Sequence, residues 1–309
     1  MSEKSIQVAP AGNGSLPQRP VAINRQTLLQ KLAAYRKKPG SLAILILVLL
    51  SAVLTVGALI ALIGYILVMG IPNLHLSLFE WEYNSVNVSM MPAIINTVFM
   101  TALALVIAVP LGVFSAIYLV EYAKRGSKLV SLVRITAETL SGIPSIVYGL
   151  FGYLMLVIAC GFKYSILSGG LTLAIMILPV IMRTTEEALK AVPDSFREGS
   201  FALGAGRLRT VFRIVLPSAV PGILSGVILG MGRVVGETAA LMYTAGTVPG
   251  VADSLFTSGR TLSVHMYLLL SEGLYTNQAY GTAVVLLVMV VLLNGISGLA
   301  AKKLTKGLQ

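Results

Sequence analysis

The chain has 309 residues, 56% of them hydrophobic and only 11% charged, far below the roughly 25% charged residues of soluble domains, which excludes a globular enzyme in water. The net charge of +11 would suggest nucleic acid in a soluble protein, but most basic residues here gather in short connections between apolar runs, which is a topology signal. One cysteine, Cys160, and two distant histidines, His75 and His265, exclude an internal disulfide and argue against a Cys/His metal centre.

Residues 1–24 scatter Pro10, Gly12, Gly14, Pro17 and Pro20 among small polar groups and read as disordered. With the basic stretch Arg25 to Lys38 they make a cytoplasmic tail over residues 1–40. Pro39 to Phe79 carries no charge, more than the roughly 20 residues a spanning helix needs, and predicts a first transmembrane helix over 41–70. A cleaved signal peptide would put a shorter apolar core nearer the start, so this segment reads as a retained anchor. Five more spans are expected near 92–120, 135–160, 168–187, 217–245 and 279–300. Pro110, Pro144 and Pro179 fall inside them and predict kinked or broken helices. The fold class is therefore an all-α membrane protein with six transmembrane helices.

Lys and Arg set the orientation. The tail to residue 38 holds seven, the 121–134 connection four, the 188–216 connection five and the C-terminus three, against Lys163 and Arg260 alone in the alternate connections. Nineteen against two predicts both termini in the cytoplasm.

Two arginines and a carboxylate sit where lipid tails should be: Arg183, Arg233 and Glu237. Each costs roughly 2.5–3.5 kcal/mol by insertion scales, so such residues usually face a pore or a partner. Arg offers a planar fork of donors to a tetrahedral oxyanion, and two separated guanidiniums suit successive stops along a path. Glu237 lies four residues after Arg233 and on a continuous helix would share its face. Its carboxylate would then hold Arg233 between anions, or accept a hydrogen bond from a protonated phosphate oxygen. Arg233 with Glu237 is also readable as a packing ion pair, and Arg183 as a snorkelling side chain paired with Glu186 or Glu187. Gly142-Ile143-Pro144-Ser145 can break span three and expose backbone N–H groups and Ser145, or merely kink it. Thr184 and Thr238 are adjacent hydroxyl donors, although mid-membrane threonines more often bond their own helix. Asn96 and Asn294 are expected to hydrogen-bond between helices. Arg134 and Glu138 read as interface charges, and His265, in the 246–278 outer loop, as a solvated histidine without chemistry.

The connection before the fifth span mixes apolar and basic residues at near-helical spacing, which suits an amphipathic surface helix. Gly204 and Gly206 interrupt that pattern, so a short helix, a turn and a second helix fit better. Glu198, Gly204 six residues later and Ile214-Val215-Leu216-Pro217 resemble the EAA signature of permease subunits in binding-protein-dependent ABC importers, with Glu198-Gly199-Ser200 where the family has E-A-A. The resemblance runs over about residues 92–299. It implies a type I importer permease core of the MetI-like kind, five helices plus the N-terminal anchor, with a coupling loop at 188–216 and a cytoplasmic tail at 300–309. Ser195, Phe196, Arg197, Glu198, Gly204 and Arg207 would inherit the contact with an ATPase subunit. No G-x-x-x-x-G-K-[ST] phosphate loop is present, so ATP and magnesium would belong to that partner, and this chain would bind no cofactor or metal and catalyse nothing.

The segments 141–153 (SGIPSIVYGLFGY), 183–193 (RTTEEALKAVP) and 232–246 (GRVVGETAALMYTAG) look like the phosphate-specific permeases, and more like the PstA-type subunit than its PstC-type companion. That resemblance implies an inner-membrane subunit of an ATP-driven phosphate importer. Its partners would be a homologous PstC-type permease, two ATP-binding subunits, an extracytoplasmic phosphate-binding protein and the lipid bilayer, with no nucleic acid. Arg183, Arg233, Glu237, Ser145, Thr184 and Thr238 would line the substrate pathway. A permease for sulfate or molybdate, or an anion channel that needs no ATPase, are the alternatives.

Overall fold

The computed structural model describes residues 39–124 and 126–306. The expected basic tail, except for its last two residues, and the last three residues of the C-terminal tail lie outside the described residues. Among the described residues all regular structure is helical: α1 (Pro39–Gly70), α2 (Met91–Ile117), α3 (Lys128–Ser141), α4 (Ser145–Gly152), α5 (Ile166–Lys190), α6 (Asp194–Ala202), α7 (Arg207–Thr210), α8 (Leu216–Val235), α9 (Ala239–Thr244), α10 (Leu262–Glu272) and α11 (Thr276–Lys306). Wider π turns prolong α2 over Tyr118–Tyr122 and α4 over Tyr153–Ala159, and join α7 to α8 over Val211–Val215.

Residues up to Leu62 form one unit and those from Ile63 onward another. The described part of the first is an apolar helix with nearly all its side chains exposed, a surface that belongs in lipid or against protein.

In the second unit α2 and α5 are the central pair, and α8 packs on α5. Their contact surfaces are rich in small residues, which lets backbones approach without a hydrophobic driving force from lipid. Ala104 and Ala108 on α2 are fully buried with Leu173, Met176, Ile177 and Ile181 on α5. On α8, a Cβ at Gly226 would overlap the Thr184 side chain, and one at Gly222 would lie 2.5 Å from the Ala188 Cβ. These pairings make α5 and α8 antiparallel and set their register.

The expected span at 135–160 is not one helix. α3 and the α4 segment are bent by 105° across Gly142–Pro144. Pro144 has no N–H and disfavours helix in the residue before it, and the Tyr148 hydroxyl closes the corner by donating to the Leu140 carbonyl at 2.7 Å. α2 ends at Glu121 beside the Leu189 and Val192 end of α5, whereas Asn96 and Ile166, at their other ends, flank Gly259. The chain must therefore cross the bundle between Tyr122 and Ser165, and the bent pair carries it. Five helices are long and apolar enough to cross a membrane, and the bent pair, counted as one span, brings the number to six.

Two further boundaries differ from the sequence expectation. The span at 217–245 stops at Val235 and restarts at Ala239, because Gly236 weakens the helix and the following residues turn away. The last span continues through Lys306, past residue 300 where a tail was expected to begin.

The connection between α9 and α10 is not a loose loop. The Asn96 side chain donates to the Gly250 and Arg260 carbonyls at 2.9 and 3.3 Å and accepts from the Ala252 N–H at 3.1 Å. Asn96 thus straps an irregular segment, not another helix, as the backbone polar groups of buried irregular chain require. His265 is buried, contrary to the solvated reading, and stands edge-on to Tyr83. Burial, then the nearby Arg260 charge, holds its imidazole down at about 3, against a weaker opposing effect of the Val88 backbone. Arg260 stacks over Tyr83 at 4.6 Å, and its Nε and Nη2 have no hydrogen-bond partner among the described residues. Burial lowers its pKa, with Tyr83 opposing. Cys160, at the end of the α4 π turn, is exposed and free.

Candidate functional site

Arg233 lies in the last turn of α8, half-buried. A guanidinium near a helix C-terminus interacts favourably with the free carbonyls there. Among the described residues it forms no ion pair and no hydrogen bond, and its charge acts on the Tyr148 hydroxyl at the corner of the bent span. A half-buried Arg without a carboxylate retains its whole donor fork for a ligand.

Glu237 does not hold Arg233. The helix has ended two residues earlier, so the four-residue spacing no longer puts the two on one face, and no ion pair joins them. Glu237 is buried; its Oε1 accepts from the Ala240 N–H at 3.1 Å, capping α9, and its backbone carbonyl accepts from Ser263 Oγ at 2.6 Å. The carboxylate thus orders the break between α8 and α9 and ties it to α10. α9 in turn packs on α4, where a Cβ at Gly149 would come within 2.7 Å of the Ala240 Cα. The break expected at the GIPS segment and the unexpected one between α8 and α9 are thereby brought together, with Arg233 beside them.

The other sequence-derived candidates divide. Ser145 is the first residue of α4, half-buried. Thr238 reaches only the Gly236 carbonyl, at 3.4 Å. Thr184 donates to Val180 and Ile181 carbonyls of its own helix at 2.9 and 3.1 Å, so it packs α5 on α8 and has no donor to spare. Arg183 is 60% exposed and pairs along its helix with Glu187 at 3.3 Å, the snorkelling arrangement. Glu186 instead takes Arg134 at 2.7 Å and Lys190 at 2.6 Å. A cavity of about 230 Å³ is lined by Arg134, Glu138, Arg183, Glu186, Glu187 and Lys190. In the register of α5 and α8, Arg233 is level with Ile177 and Arg183 is about 9 Å nearer the α6 end, so the two guanidiniums occupy different depths. Asn294 lies beside Gly232, and among the described residues its Oδ1 has no partner and it makes no interhelical bond of the kind expected.

The 188–216 connection is a helix, a turn and a helix. α6 ends at a tight turn in which Gly204 has φ +80°, a left-handed conformation that glycine adopts without strain. Phe196, Phe201, Leu203 and Leu208 are exposed around it, an apolar patch beside Glu198 and Arg209. Ser195 lies in the first turn of α6, and Arg207 stacks on Tyr122 at 5.4 Å. Arg197 is anchored inward by Glu121, at 2.8 Å from Nη2 to Oε1. Sequence reading missed Glu121 and Tyr148. Glu121 carried a signal, as the one acid closing an apolar span before a basic connection, whereas nothing local marked Tyr148.

The profile of the family described as "Binding-protein-dependent transport system inner membrane component" matches residues 108–308. The chain is 34% identical to the probable ABC transporter permease protein YqgI of Bacillus subtilis, over 79% of this chain and 89% of that protein. It is also 34% identical to the phosphate transport system permease protein PstA of Mycobacterium leprae, over 70% of this chain and 74% of that protein. In fold it is similar to a chain of a bacterial alginate ABC transporter solved with an alginate-pentasaccharide-bound periplasmic protein. That likeness has a TM-score of 0.61 and 14% identity, covering 84% of this chain and 95% of the other. With MetI-like permease architecture and most of its length matched, the chain belongs to the family of inner-membrane components of binding-protein-dependent transport systems, as a multi-pass ABC permease of PstA type and not an enzyme.

Proposed function

We propose that this chain is one of two homologous permeases that form the translocation path of an ATP-driven importer of inorganic phosphate. Two ATP-binding subunits, which hold the ATP and magnesium, would dock on the α6–α7 turn, and an extracytoplasmic phosphate-binding protein would deliver the anion at the Asn96 end. The distribution of Lys and Arg supports placing the α6 end and both termini in the cytoplasm.

The observation that carries this reading is Arg233. A guanidinium set beside two helix breaks, without a carboxylate of its own, can exchange bound anions, whereas a saturated ion pair must first be opened. Glu237 supports the site by fixing the α8–α9 break, Ser145 and Thr238 offer hydroxyls near the breaks, and Arg183 supplies a second charge at another depth. The resemblance of the segments holding Arg183, Arg233 and Glu237 to phosphate-specific permeases, together with the 34% identity to a PstA permease, supports phosphate among the oxyanions.

In liposomes holding the four-subunit complex, Arg233→Ala is expected to abolish phosphate uptake with subunit stoichiometry unchanged, and Arg233→Lys to restore only part of it. Full uptake by Arg233→Ala would reduce the residue to packing. ATPase stimulation by sulfate or molybdate in place of phosphate would reassign the substrate, and anion flux without an ATPase would replace the importer by a channel.

A further inference from the structure

Arg197 gathers three separate elements at one guanidinium. Its Nε and Nη2 donate to Glu121 Oε1 at 3.1 and 2.8 Å, reaching the π turn that ends α2. Nη2 also donates to the Leu189 carbonyl and Nη1 to the Val192 carbonyl, each at 2.8 Å, which satisfies backbone acceptors at the end of α5. Nη1 further meets Asp194 Oδ1 at 3.1 Å in the first turn of α6, the helix that bears Arg197 itself. The Arg197 and Glu121 side chains are only 14% and 8% exposed, so solvent screens the pair weakly.

The local backbone explains why Glu121 reaches this point. A regular continuation of α2 would advance each residue by 100°, whereas the wider π turn over Tyr118–Tyr122 shifts that phase and leaves Glu121 buried next to the end of α5. Single π turns of this kind occur often at functional positions. Beside the contact lies a cleft of about 610 Å³, bordered by Glu121, Lys124, Arg134, Lys190, Arg197 and Arg207. The junction is thus held by directional charge-assisted bonds on one side and is open on the other, unlike the alanine-packed middle of the bundle. Such a contact can turn as a unit while staying closed.

We infer that Glu121 and Arg197 form the mechanical joint through which displacement of α6 by the ATPase subunit is passed simultaneously to α2 and α5. This rests on the importer reading above. Glu121, outside the coupling loop and unmarked by the family signature, is assigned here as a positioning residue for transport. The bland alternative is that Arg197 merely caps α5 and Glu121 neutralises it, which would require the pair for assembly only.

The test measures inorganic phosphate transported per ATP hydrolysed by the liposome-reconstituted complex, with subunit stoichiometry determined on the same preparation. Glu121→Gln keeps the size and one acceptor but removes the charge, and it is expected to assemble and hydrolyse ATP while the transport ratio falls by at least about fivefold, the lower range of coupling between sites. Glu121→Asp, which keeps the charge on a shorter arm, should recover part of that ratio. A wild-type ratio in an assembled Glu121→Gln complex overturns the joint, and so does loss of the complex in both variants, since the pair would then serve folding alone. A wild-type complex whose ATPase ignores phosphate-loaded binding protein removes the importer reading itself, and the joint with it.

Discussion

The two ends of α2 solve the same problem by opposite means. At the Glu121 end, buried charge is met by charge: Glu121 on Arg197, and Glu186 on Arg134 and Lys190. At the Asn96 end one neutral amide holds three backbone groups of an irregular segment, while Arg260 rests on an aromatic face and His265 stays uncharged. Amide bonds to backbone fix one geometry, because their partners are immobile and each unmade bond leaves a buried group unsatisfied. The Arg197 guanidinium holds two carboxylates and two carbonyls beside an open cleft, which leaves the group room to move together. On the joint proposed above, the Asn96 end stays fixed while the Glu121 end carries movement.

The comparison is broken most forcefully at Arg197. Arg197→Ala would leave Glu121 buried without its countercharge and two carbonyls bare, at a cost of about 3–5 kcal/mol, and should lower membrane abundance and thermal stability in detergent together. Full abundance would mean that Glu121 is satisfied by solvent and that the inner end is not held by charge. At the opposite end, Asn96→Leu removes three bonds and should cost about 3 kcal/mol, with each orphaned buried group worth roughly 1–3. Its signature is regional: hydrogen exchange should accelerate over residues 246–262 and stay unchanged over α6. Uniform acceleration would dissolve the distinction between the ends.

A smaller effect separates them by pH. Because the His265 pKa is depressed to about 3 from an unfolded value near 6.5, the folded protein excludes a proton that the unfolded chain binds between these limits. Its contribution is complete above about pH 6.5 and lost as pH falls toward 3, the loss reaching about 2 kcal/mol at pH 5. Thermal unfolding at pH 7.5 and pH 5 should show this loss, and His265→Phe should flatten it. An equal loss in the variant would place the acid sensitivity elsewhere. Least of all, Gly204→Ala should cost about 1–2 kcal/mol by forcing a Cβ into the left-handed region, with reduced ATPase stimulation, and Gly204→Asn less. Normal stimulation with Gly204→Ala would show that the turn tolerates other geometries.

Much of this was written in the sequence, where one-dimensional signals suffice. Uncharged runs gave the long helices because the bilayer demands them, and Gly142 with Pro144 marked the corner because proline forbids the missing bonds. The glycine at 204 marked its turn for the same kind of local reason. The failures have one cause, the need to know which distant groups meet. Glu237 looked like the helical neighbour of Arg233 until Gly236 ended the helix. His265 looked solvated because nothing beside it in sequence announces Tyr83 or the burial of α10. Glu121 was passed over because its partner lies 76 residues away.

Cys160 gives the arrangement an experimental handle. It is the sole thiol of the chain, exposed, and carried by the broken span to the end of the bundle where α5 begins. No cysteine-free background has to be engineered before labelling. A charged maleimide that cannot permeate lipid should therefore modify this protein on sealed right-side-out vesicles and spare it on inverted ones, reading the sidedness of every connection from a single native atom.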